Sequence, residues 1–105
     1  MNENVVEIEV IEHPNRLTLS KPIMIDGEEK KYIDYDTDKL TGGSIEKAIQ
    51  ELVKRQVFVV SPEIDTVLHA QLFAFASGLD YLDINRLSMK DYAKATAIIR
   101  DFFIN

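Results

Sequence analysis

Val6, Ile8 and Val10 alternate with Glu7 and Glu9. A period of two marks a strand with one face toward a core and one toward water, so the pattern predicts a strand near residues 5–11. His13-Pro14-Asn15 breaks it. Leu17, Leu19, Ile23 and Ile25 then point one way, which predicts a second strand over 16–25, and Tyr32–Asp36 supplies a third near 31–36. Past Asp38 the period lengthens. Ile45, Ala48, Ile49, Leu52 and Val53 fall on one face of a helix near 44–55. Thr41 or Ser44 can cap it, with Gly42-Gly43 as the hinge into it. Val57–Val60 fits a short buried strand or an apolar connector. Ser61-Pro62-Glu63 is a helix start, with Ile64, Val67, Leu68, Leu72, Phe75 and Ala76 as the buried stripe of a helix near 62–77. Gly78 should stop it in the left-handed conformation. Asp80–Leu87 reads as a short helical turn. Ser88, with Asp91 at the capping-box position, opens a last helix near 88–103, whose inward face is Met89, Tyr92, Ala93, Thr96, Ile99 and Phe103.

The expected fold class is therefore α+β. A small N-terminal antiparallel sheet (5–38) precedes a helical part (41–105) in a single domain, with residues 1–4 frayed. The hairpin register can be worked out in advance. A two-residue Asp26-Gly27 loop pairs Ile23 with Lys30 and Ile25 with Glu28, and continues to put Tyr32 and Asp34 on the apolar face. An odd loop of three or five residues instead puts Ile33 and Tyr35 beside Leu19 and Ile23. A one-residue slip exchanges the faces, so the pattern predicts an odd loop, one that can include a bulge, over the tight Asp-Gly turn.

Charge changes the picture in one respect. The chain of 105 residues carries a net charge of −6, the wrong sign for following a phosphate backbone, so nucleic acid is not an expected partner. Residues 1–40 hold ten acids against five bases, and the remainder is nearly balanced. With no cysteine, disulfides, thiolate catalysis and Cys-based zinc sites drop out. The opening MNENVVEIEVIE has no long apolar stretch, so neither a signal peptide nor a membrane span is expected, and the expected location is the cytoplasm.

Candidate chemistry is thin. Asp34, Asp36 and Asp38 begin like a calcium loop, but Lys39 stands where the turn glycine belongs and Ile45 where the bidentate Glu belongs. They read as acids of an exposed edge strand, with a metal-binding domain as a lesser alternative. LTGGS (residues 40–44) lacks the lysine of a phosphate loop. His13 and His69 stand alone, and Asp65 four residues before His69 suggests a surface pair. No catalytic residue, metal or cofactor is expected. One feature stands out: Phe73 and Ala74 widen the apolar face of the second helix, and Ala95, Ile98 and Phe102 that of the last. The surplus predicts self-association or a protein partner, with Phe73, Ile98 and Phe102 as the candidate interaction surface.

From Leu17 to Phe103 the chain resembles the tail assembly chaperones of Mu-like and related phages and prophages. The markers are Pro22-Ile23, Asp26-Gly27, Leu40-Thr41-Gly42 and Ser77-Gly78-Leu79, in that order, followed by a helix that ends in Phe. Ser44 departs from the pattern at a position that is commonly acidic, and residues 1–16 extend ahead of the shared region. The resemblance implies a non-enzymatic protein that binds the tape measure protein, keeps it soluble, helps recruit tail tube subunits and leaves before the tail is complete. Small oligomeric structural proteins of the tail are the alternative in the same setting.

Overall fold

The computed structural model describes residues 15–104. The strand expected at 5–11, the frayed end at 1–4 and His13 lie outside them. The described residues form a small α+β fold, a two-stranded antiparallel sheet followed by helices. Strand β1 (Arg16–Ile25) pairs with β2 (Glu28–Asp34). A 3-10 turn at Thr37–Lys39 leads to α1 (Gly42–Lys54), α2 (Thr66–Ser77), the short α3 (Tyr81–Asn85) and α4 (Met89–Ile104).

The hairpin satisfies the register requirement by an unexpected route. Its loop is the tight two-residue turn, with Ile25 opposite Glu28 and both Asp26 (φ 52°) and Gly27 (φ 83°) in the left-handed region that a primed hairpin turn demands. The expected odd loop is therefore absent. The extra residues sit inside β1: the ladder pairs Ile23 with Lys30 but Leu17 with Ile33, so the four residues 19–22 face a single residue of β2. That excess of three is odd, and it brings Ile33 under Leu17 and Leu19, where all three are buried.

Such an excess leaves backbone N–H groups without a strand partner, and Asp91 takes them. Ser20 N donates to its Oδ1 at 2.9 Å and Oδ2 at 3.0 Å, and Lys21 N donates to Oδ2 at 3.1 Å. Pro22, next in line, has no N–H to satisfy. Asp91 N in turn donates to Ser88 Oγ, the forward half of the expected capping box, while the carboxylate accepts from the hairpin backbone. Facing Asp91 toward β1 fixes the rotation of α4. Its buried residues are Asp91, Ala95, Thr96 and Ile99, with Tyr92 and Phe103 half-buried. Met89 and Ala93, expected inside, are exposed.

Helix α1 begins at Gly42, two residues before the expected start, so the Gly pair forms its first turn. Ser44 Oγ accepts from Thr41 N at 3.0 Å, doing the work an acidic residue would do there. The helix ends in a Schellman turn, with Val57 N on Leu52 O and Gln56 at φ 63°. Helix α2 starts at Thr66, four residues later than expected. Ser61–Ile64 form a turn instead, and Asp65 is the N-cap, accepting from Leu68 N at 2.9 Å. Gly78, at φ 72°, closes it as expected.

The core lies around α2, which packs against α4, α3, α1 and the 3-10 turn. It is covered on every side: Leu68, His69, Ala70, Gln71, Leu72, Phe73, Ala74 and Ala76 are all buried. The apolar width read as surplus in this helix is thus absorbed inside the domain, at about 1.5–3 kcal/mol for each large side chain buried. Ile64, expected in the stripe, is 68% exposed, and Val53 of α1 also faces outward.

Candidate functional site

The three residues expected to form an interaction surface separate. Phe73 is fully buried, its ring tilted against Tyr35 at 5.4 Å between centroids, and it is a core residue. Ile98 is half-buried against the core. Phe102 is 64% exposed. Only Phe102 therefore stands at a surface in the sense expected.

Phe102 borders an apolar groove of about 440 Å³. One wall is the turn from the 3-10 segment into α1, with Leu40, Thr41 and Ile45; the other is the C-terminal part of α4, with Ile99, Phe102 and Phe103; Leu72 of α2 forms part of the lining. One wall is set by local sequence and the other by a long-range contact. The capped start of α1 fixes Leu40 and Ile45, and the rotation of α4 imposed by Asp91 turns Ile99 inward and leaves Phe102 at the rim. Asp38 is the one charged residue of the lining. A second exposed apolar set lies on the α1–α2 connection: Phe58 (70%), Val60 (89%) and Ile64. Val57 and Val59 are half-buried while Phe58 and Val60 face outward, and a run that is apolar at every position carries no alternation from which the outward pair could be read.

The aspartates do separate jobs. Asp34 takes a bidentate hydrogen bond from Arg16 at 2.7 and 3.1 Å, and that guanidinium lies 3.7 Å over the Tyr32 ring. Asp36 caps the 3-10 turn, accepting from Asp38 N at 3.0 Å. Among the described residues no group of three His, Asp or Glu is placed to hold a metal ion. His69 is not in a surface pair with Asp65. It is buried, stacks on Phe103 at 5.2 Å, and its Nε2 donates to Pro62 O at 2.8 Å while Nδ1 has no partner. The Pro62 carbonyl is turned inward to that ring, which is the use the chain makes of its Ser-Pro turn.

Asp91 is the buried carboxylate. Burial pushes its pKa up, but the hydrogen bonds from the backbones of Ser20 and Lys21 and from the Ser20 and Ser88 side chains outweigh that, and it lies below the ordinary aspartate value. Burial raises Tyr35, and burial together with the neighbouring Tyr81 raises Tyr92. No helix among the described residues is long and apolar enough to cross a membrane. No family model matches the chain, and no curated protein or solved structure matches it.

Proposed function

We propose that the chain is a phage tail assembly chaperone that acts by binding alone. Its partner on this reading is the tape measure protein, which it keeps soluble in the host cytoplasm while tail tube subunits are recruited. The observation that carries the reading is the apolar groove rimmed by the exposed Phe102. Its walls are rigid helix and capped turn, and its lining is apolar apart from a few polar side chains, as a site for an amphipathic helix would be. The sequence markers of the family support it as well. Asp26-Gly27 is the hairpin turn, Leu40-Thr41-Gly42 the capped entry to α1, and Ser77-Gly78-Leu79 the Schellman end of α2. The exposed Phe58, Val60 and Ile64 lie outside the groove lining and offer a second surface, for self-association or for tube subunits.

Co-expression with a tape measure protein from the same genome tests the proposal. Soluble tape measure protein should rise several-fold and a complex should elute on gel filtration, and Phe102→Ser should weaken both without lowering the melting temperature. Unchanged solubility with no complex would sink the reading. If the chain is found in mature particles, the structural tail protein is the better description.

A further inference from the structure

We propose that the β1–β2 hairpin opens as a unit separate from the helices, and that Asp91 is the latch that seats it. Among the described residues the hairpin holds to the helical body by the buried Leu17, Leu19, Ile25 and Ile33 and by a small set of polar ties. At its tip Arg86 Nη2 donates to Met24 O at 2.8 Å, an exposed contact, and just past its base Asp36 N donates to Ala76 O at 2.9 Å. Between them lies the Asp91 carboxylate, fully buried and bonded to two successive N–H groups of β1. No Lys or Arg lies within ion-pair distance of it among the described residues. Its charge is therefore met by the hairpin backbone together with the Ser20 and Ser88 hydroxyls, so hairpin and carboxylate are coupled: lifting the hairpin exchanges charge-assisted hydrogen bonds for water, and neutralising the carboxylate weakens the acceptor of two N–H groups that have no strand partner. A segment whose polar ties to the helices, among the described residues, centre on one buried carboxylate is the kind that exchanges sub-globally, ahead of the core.

The groups around the latch do not substitute for it. On β1, Lys21 contributes its backbone N–H, and on α4, Lys90 and Lys94 are exposed. On α3 and its C-cap, Asp83 and Arg86 pair with each other. On α2, His69 is stacked on Phe103, twelve residues further along α4.

Native-state hydrogen exchange of the full chain at neutral pH, with Asp91→Asn beside it, tests the inference. Asparagine keeps the shape but aims an NH₂ donor at a backbone N–H. Amides of residues 17–33 should exchange about 10- to 100-fold faster in the variant, the loss expected from hydrogen bonds to a charged group, while amides around Leu72 and Ile99 change less than about threefold. An equal acceleration in hairpin and helices overturns the proposal, and so does an unchanged hairpin. If D91N does not fold, acid titration of the unaltered chain decides. The depressed Asp91 value means the latch is at full strength above the ordinary aspartate pKa of about 3.9 and is lost as pH falls through the lower value. Loss of hairpin protection while the helical circular dichroism persists supports the latch; simultaneous loss of both refutes it.

Discussion

Truncating Phe73 separates a core residue from an interface residue. The ring is fully buried in the middle of α2 and meets Tyr35 at 5.4 Å between centroids. Phe73→Ala removes the transfer energy of the ring and leaves a cavity between α2 and the strand end, for a cost of about 3–5 kcal/mol. The tilted aromatic pair contributes about 0.5–1.5 kcal/mol of the interaction energy lost. A domain of this size is stable by only about 5–15 kcal/mol, so the variant stands near the edge of folding. At about 4 °C per kcal/mol, the melting temperature should fall by about 12–20 °C. Phe102→Ser, at a position 64% exposed, should change stability by less than about 0.5 kcal/mol. Thermal and urea unfolding followed by circular dichroism measures both. A Phe73→Ala midpoint shift worth less than about 1 kcal/mol, or lost association at unchanged stability, would refute the placement of Phe73 in the core.

Further outcomes follow from individual turns and titrating groups. Gln56 holds a left-handed backbone at φ 63°, so Gln56→Gly should stabilise the chain by about 1 kcal/mol; a lower urea midpoint would contradict this. Asp65→Ala removes the cap of α2 and should cost about 1 kcal/mol, whereas a true helix start at Ser61 would leave the midpoint unmoved. Tyr35 and Tyr92, raised by burial, should ionise later than a free tyrosine in an ultraviolet titration. Because their protonated form is favoured in the folded state, stability should decline as pH climbs past the ordinary tyrosine value of about 10. Stability flat through that range would argue that both phenols are hydrated.

The α+β order, a chain reversal at Asp26-Gly27, the Gly78 stop and the existence of both strands and all four α-helices were legible in the chain because each depends on neighbours within a few residues, whereas the 3-10 turn at Thr37–Lys39 was not. The parity argument on Ile33 was sound as well, and failed only over where the odd residues go. Placing them in the loop satisfies the same count as placing them inside β1; the choice belongs to Asp91, some seventy residues away, whose carboxylate makes unpaired N–H groups at Ser20 and Lys21 affordable. The same contact turns α4 away from the face its periodicity suggests, burying Ala95 and exposing Met89. Tertiary structure likewise decided the fate of the apolar surplus. Hydrophobicity shows how wide a helix face is, but not how many neighbours will cover it. Surrounded by three helices and the 3-10 turn, α2 buries Phe73 and Ala74, while on α4 Phe103 stacks on His69 and the adjacent Phe102 stays at the rim. Local pattern therefore determined the elements, and long-range contacts determined which of their faces reach water.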